Sequence, residues 1–252
     1  MIADDLLRAA AGRPIALFLD YDGTLAPIVE RPEDAVLAPA TRDVLRRVAA
    51  RWPVAIVSGR DLEDVRARVS LPELTYAGCH GLEIAGPRAS RVHEAAAAAA
   101  PQLGAAADLV AHDTRGIGGV QLERKRYTLA VHFRRVREGD VPAVREAVAR
   151  AQARHPALRV GGGKKVLELM PDVDWDKGRA VMWLIETLGL QASFPVYVGD
   201  DRTDEDAFRA LGPLGAGIAV QRTPAQTEAR YVLPDPEAVR ELLSGLADAP
   251  RR

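Results

Sequence analysis

The sequence predicts an α/β protein in which a doubly wound parallel sheet carries a smaller, inserted α+β domain. Two observations lead there. Short apolar runs alternate with segments of helical spacing through residues 1–84 and again through residues 172–252. Residues 85–171 drop that alternation for hairpin-like strands.

Taken in order, "IALFLDY" (residues 15–21) is an apolar run that reads as the first strand, and "TRDVLRRVAAR" (41–51) carries helical spacing. "VAIVSGR" (54–60) is a second strand closed by glycine, "DLEDVRARV" (61–69) a second helix, and "LTYAGCHG" (74–81) a third strand. The middle third opens with "HEAAAAAAPQLGAAADLVAH", a strong helix former expected to break at Pro101 and Gly104. A strand "YTLAVHFR" (127–134), a helix "VPAVREAVARAQARH" and the short strands "ALRV" and "VLELM" follow, which suits an antiparallel or mixed sheet. The last third returns to the first pattern. "KGRAVMWLIETLGL" is helical, "FPVYVGD" a strand, "DEDAFRAL" helical, "AGIAV" a strand and "PEAVRELLSGLAD" a closing helix with proline near its start.

At 252 residues and 48% hydrophobic content the chain can bury one large core or two smaller ones. Its formal net charge of −1 gives no reason to expect nucleic acid or an anionic membrane as a partner. No stretch approaches the roughly 18 apolar residues of a membrane span. The start, "MIADDLLRAAAGRP", has acids where a signal peptide has a basic head, so a cytoplasmic protein is expected. The single cysteine, Cys79, can form neither an internal disulfide nor a cysteine-based zinc site and reads as a small buried residue.

Three polar clusters fall at the carboxyl ends of predicted parallel strands: Asp20 with Asp22, Ser58 with Arg60, and Asp200 with Asp201 and Asp204. Open α/β sheets bind ligands at those ends. Any one aspartate alone would read as a solvated turn residue. Carboxylates converging from two distant segments repel one another severely in a water-poor cleft unless a cation neutralises them, and Mg²⁺ suits oxygen donors and phosphate. Residues two apart on an extended segment face one side, so Asp20 and Asp22 are expected to reach one substrate together. A phosphate monoester can then be split in two easier steps through an aspartyl-phosphate.

"DYDGT" (20–24), "SGR" (58–60), "DKG" (176–178) and "GDDRTDED" (199–206) resemble, in order, the four motifs of the haloacid-dehalogenase superfamily of phosphotransferases. "GDDRTDEDAF", "YAGCHGLEI", "ERKRYTLAVHFR" and "GKKVLELMP" are similar to stretches that characterise its trehalose-6-phosphate phosphatases. The resemblance implies a Rossmann-like core in two parts, 1–84 and 172–252, with 85–171 as a cap that closes over the sugar. It implies Asp20 as nucleophile, Asp22 as acid and then base, and Ser58 and Lys177 as ligands of the phosphoryl oxygens. Mg²⁺ would be held by the Asp20 carboxylate, the Asp22 backbone carbonyl and Asp200, with Asp201 and Asp204 behind them. Arg60 on the core side and Glu123, Lys125, Arg134, Lys164 and Glu168 in the cap would hydrogen-bond the disaccharide. The implied substrate is trehalose 6-phosphate, the expected state a monomer, and a trehalose-6-phosphate synthase the partner for any functional coupling.

None of the five histidines has metal-ligand spacing, and only His132 is placed to line a sugar site. "RGIGGVQ" and "GGGKK" match no phosphate-loop pattern and read as turns. Two other functions remain open to the sequence: a phosphatase for another sugar phosphate, which the T-D-E-D wording of the fourth motif opposes, and a non-catalytic sugar-phosphate-binding regulator. A regulator would have no chemical reason to keep Asp22 beside Asp20.

Overall fold

All five residues of strand β1 (Ile15–Leu19) are buried, because parallel strands flank it and both its faces meet apolar side chains. The computed structural model describes residues 2–163, 165–221 and 226–250. The chain divides into two compact units, one formed by the chain up to Arg91 and again from Trp175, the other by Val92–Asp174.

In the larger unit α1 (Ile2–Ala10) precedes β1, and α2 (Pro39–Ala49), β2 (Val54–Val57), α3 (Leu62–Val69), β3 (Thr75–Gly78), β4 (Glu83–Ala85) and β5 (Ser90–Val92) follow. The smaller unit holds α4 (Glu94–Asp113), β6 (Gln121–Arg124), β7 (Leu129–His132), α5 (Val141–Arg154), β8 (Leu158–Gly161) and β9 (Val166–Pro171). The larger unit resumes with α6 (Lys177–Thr187), β10 (Phe194–Gly199), α7 (Glu205–Leu211), β11 (Ala216–Val220), β12 (Tyr231–Leu233) and α8 (Pro236–Asp248).

The main sheet runs β12-β11-β10-β1-β2-β3-β4-β5, parallel from β12 to β3. Side-chain alternation along β1 sorts its residues into two cores. Ile15, Leu17 and Leu19 join a cluster with residues of α1, α2, α3 and α8, whereas Ala16 and Phe18 join one with α6 and α7. The chain winds from β1 toward β3 on one side and from β10 toward β12 on the other, so β1 and β10 mark the switch point of the sheet. The crevice beyond their carboxyl ends is where such sheets bind ligands.

The units divide later in the chain than expected. β4 pairs antiparallel with β3, Ala77 opposite Ile84, so the core sheet continues past residue 84, and the second crossing falls after Asp174 instead of residue 171. The three-residue strands β4, β5 and β12 are too short for hydrophobic periodicity to reveal, and the polar β6 carries little of it. Pro101, expected to end a helix, lies inside α4. An interior proline costs about 3 kcal/mol, but the alanine-rich segment has high helix propensity and buries Ala99, Leu103, Ala106 and Val110, which offsets it.

The smaller unit's sheet, β6-β7-β9-β8, is antiparallel throughout. One face packs Leu129, Val131 and Leu169 against α4 and α5, as alternation in a half-buried sheet requires. Its other face carries the polar residues Glu123, His132 and Glu168.

Candidate active site

Strand β1 ends at Leu19 and delivers Asp20, almost fully buried, to the crevice at the switch point, where its backbone N–H bonds the Val198 carbonyl of β10. The chain then turns at once. Leu25 and Ala26 both donate N–H to the Tyr21 carbonyl, and Gly23 adopts a left-handed φ of 78°. The carboxylates of Asp20 and Asp22 take different hydrogen-bond partners.

Asp20 meets Lys177, the first residue of α6, whose start is fixed by Asp176: its side chain accepts from the Arg179 N–H at 2.8 Å. Lys177 Nζ donates to Asp20 Oδ1 at 2.9 Å and to Asp204 Oδ1 at 2.7 Å. Asp204 is fully engaged: the Tyr197 hydroxyl donates to Oδ1 at 2.6 Å and the Asp201 N–H to Oδ2 at 2.9 Å. It therefore anchors the lysine. The Asp201 side chain closes the other half of a capping box by accepting from the Asp204 backbone N–H, and its Oδ1 also accepts from the Arg202 N–H. Of the two adjacent aspartates at the end of β10, Asp200 is the one that joins Asp20, the three residues Asp20, Asp200 and Asp204 offering oxygens within 4.8 Å of one another.

Only glycine fits opposite Asp200, since a Cβ at Gly23 would lie 2.2 Å from its Cγ. Burial, outweighing the pull of Lys177 and joined by repulsion from neighbouring carboxylates, holds the Asp20 carboxyl well above its ordinary range. Burial and the nearby Asp204 and Asp201 push Asp200 up to about 7. Burial opposes the charge on Lys177, but Asp20 and Asp204 more than offset it and its ammonium is held well above the ordinary value. One ammonium among three carboxylates leaves a local excess of negative charge, and the donors are hard oxygens. The cluster fits a divalent cation of the Mg²⁺ kind.

Asp22 turns to Arg60, which lies beyond the end of β2. Arg60 Nε and Nη2 donate to the two Asp22 oxygens, each at 2.7 Å. Ser58, also buried, follows β2 directly, and its Oγ accepts from the Arg60 N–H at 3.2 Å. Cys79 is buried, its Sγ 3.5 Å from Asp61 Oδ1, and with His80 it occupies the left-handed region after β3. A Cβ at Gly59 would lie 2.8 Å from the His80 ring. This strained turn and the serine loop are thus packed together.

The smaller unit gathers its own cluster. Glu123 lies opposite Ala130 and Ala130 opposite Glu168, so one cross-strand row carries both carboxylates on the polar face. Lys125 Nζ donates to Glu168 Oε1 at 3.3 Å, and His132 Nε2 lies 3.0 Å from Glu123 Oε2. Arg134 sits exposed in the turn after β7, and Lys164 falls outside the described residues. Among site residues the sequence did not single out Tyr197. The available signal was a phenol in a central strand two positions before the terminal glycine, since a buried tyrosine hydroxyl needs a partner.

The fold is of the haloacid-dehalogenase class: it matches a haloacid dehalogenase-like hydrolase of Bacteroides thetaiotaomicron with a TM-score of 0.65 at 15% identity, covering 92% of this chain and 98% of that one. A family model described as trehalose-phosphatase matches residues 18–237, and the chain belongs to that family. It is 44% identical to a trehalose 6-phosphate phosphatase of Zea mays, over 97% of this chain and 73% of that protein. It is also 44% identical to a trehalose-phosphate phosphatase of Mycobacterium tuberculosis, over 98% of this chain and 63% of that longer protein. The fold matches the C-terminal domain of a trehalose-6-phosphate phosphatase of C. albicans with a TM-score of 0.84 at 23% identity, covering 99% of this chain and 98% of that one. Among the described residues no helix is long and apolar enough to cross a membrane.

Proposed function

We propose that the protein hydrolyses trehalose 6-phosphate to trehalose and inorganic phosphate through a phosphorylated Asp20. The observation that carries this reading is Lys177, buried and bonded to both Asp20 and Asp204, with Asp200 beside them at the switch point of the sheet. An anionic nucleophile approaching an anionic phosphoryl group needs such a preorganised positive charge.

In the first step an Asp20 carboxylate oxygen forms a bond to phosphorus as the bond to the sugar oxygen breaks. The leaving oxygen takes the electron pair and a proton from Asp22. In the second, water gives its proton to Asp22 while its oxygen bonds phosphorus, the acyl-phosphate bond breaks, and Asp20 regains its carboxylate. Lys177 and the Ser58 hydroxyl hold phosphoryl oxygens. The Asp20 carboxylate, the Asp22 backbone carbonyl and Asp200 would hold Mg²⁺, which when bound offsets the charge of carboxylates and phosphate.

The smaller unit acts as the sugar-recognition cap. A disaccharide offers hydroxyls and little apolar surface, and Glu123 and Glu168 in one cross-strand row, with Lys125 bonded to Glu168, supply donors and acceptors in fixed positions. The test is phosphate release from trehalose 6-phosphate, sucrose 6-phosphate, glucose 6-phosphate and an aryl phosphate, with and without Mg²⁺, beside Asp20→Asn. Strong metal-dependent preference for the first, lost in the variant, is expected. Equal rates on all four would overturn the substrate, and retention of more than a few per cent of activity by the variant would overturn the nucleophile.

A further inference from the structure

Arg60 is buried, and its guanidinium faces two part-exposed carboxylates. Guanidinium carries five N–H groups in a rigid fork. Four are committed: two to Asp22, one from Nη1 to Asp64 Oδ2 at 2.7 Å, and one from Nη2 to the Pro32 carbonyl at 2.7 Å. The plane also sits over the Tyr21 ring, 5.3 Å from its centre. Asp64 is in turn held by Arg68 Nε at 2.8 Å, and Arg68 reaches the Ala35 carbonyl at 2.7 Å. α3 and the segment around Pro32 therefore lock the fork in place.

From this geometry we infer that Arg60 is the positioning residue for the proton-transferring Asp22, and not a ligand of the sugar. The inference rests on the phosphatase reading above and assigns Arg60 a different task from the one its motif resemblance implies. A carboxylate has about four lone-pair sites, and a bidentate guanidinium occupies two of them. The plane of Asp22 is thereby fixed and its other lone pairs stay open to the departing oxygen or to water. Lysine, a point charge on a flexible stem, can keep the charge but not the plane.

Leaving-group chemistry separates this role from sugar binding. An alkoxide of the sugar cannot depart without a proton, whereas an acidic phenol can. For Arg60→Lys with saturating Mg²⁺ we expect kcat on trehalose 6-phosphate to fall about 10- to 100-fold, in the range of general acid–base contributions. KM should stay within about twofold, and turnover of p-nitrophenyl phosphate should fall less than about threefold. Adding Arg60→Lys to Asp22→Asn should lower the rate no further, since the two residues act as one unit. A rise in KM for the sugar ester at unchanged kcat, or equal losses on both esters, overturns the inference. Should Arg60→Lys fail to fold, Asp64→Asn tests the same point from behind the guanidinium: it should lower kcat selectively on the sugar ester, and an unaltered ratio between the two esters overturns the proposal. Failure of the phosphatase reading looks different, because the unaltered protein would then release phosphate from neither ester.

Discussion

Lys177 and Asp20 lie 157 positions apart in the chain and 2.9 Å apart in the fold. The contact joins the carboxyl end of β1 to the first residue of α6, the segment by which the chain re-enters the larger unit, so the partner of Asp20 arrives only when both halves of that unit have assembled.

Replacing that lysine by methionine strands two buried carboxylates. Breaking a buried ion pair from one side costs about 3–5 kcal/mol, and losing a preorganised charge at the reacting centre costs about 10²- to 10³-fold in turnover. Lys177→Met is expected to show both, read by urea denaturation and by phosphate release. Unchanged stability would mean that Asp20 and Asp204 are neutralised by other groups.

On the proposed reading Mg²⁺ binds the native carboxylate cluster and not the unfolded chain, so it should stabilise the fold. At a hundredfold excess over Kd the gain is about 2.7 kcal/mol, visible as a rise in Tm that chelation reverses. Asp200→Asn should abolish the rise. Gly23→Ala should abolish it as well, since the added methyl would lie 2.2 Å from the Asp200 carboxyl carbon and the backbone there is left-handed.

Glu123 and Glu168 share one row of the smaller unit's sheet. Glu123→Gln should reduce kcat/KM for trehalose 6-phosphate by about 10- to 100-fold, about 1–3 kcal/mol for one unpaired polar contact. An aryl phosphate lacks the sugar, so its hydrolysis should be unaffected. Loss on both substrates would point to a defect in the core instead.

Burial favours the neutral form of Asp64, but hydrogen bonds from Arg68 and Arg60 more than compensate and hold its carboxyl below the ordinary 3.8. A carboxyl depressed in the folded state adds stability above its unfolded pKa and loses it as pH falls through the folded value. Asp64 is partly exposed, so solvent screening limits the effect to about 0.5–1 kcal/mol. Asp64→Asn should therefore be less stable than the unaltered protein at pH 7 and converge with it as the pH falls below about 3.8, by urea denaturation at both values. A difference that persists at low pH would mean the residue acts through shape alone.

The sequence by itself determined the strand-helix alternation, the insertion of a second unit, and the placement of Asp20, Ser58 and Asp200 at the ends of parallel strands. Each depends on periodicity or on a motif within a few residues, and such signals survive any tertiary arrangement. Tertiary structure alone decided which charges meet. Asp22 found Arg60 because β1 and β2 are neighbours in register, Leu19 beside Ile56. Tyr197 meets Asp204 across the turn that follows β10, and the packing of the start of α6 brings Lys177 to the same carboxylate, which makes Asp204 the anchor and leaves Asp200 to face Asp20. Pro101 stayed inside α4 because packing of the helix outweighed a local preference to break it. A residue's partner is fixed by strand order and register between segments far apart in the chain, and local pattern carries no record of either.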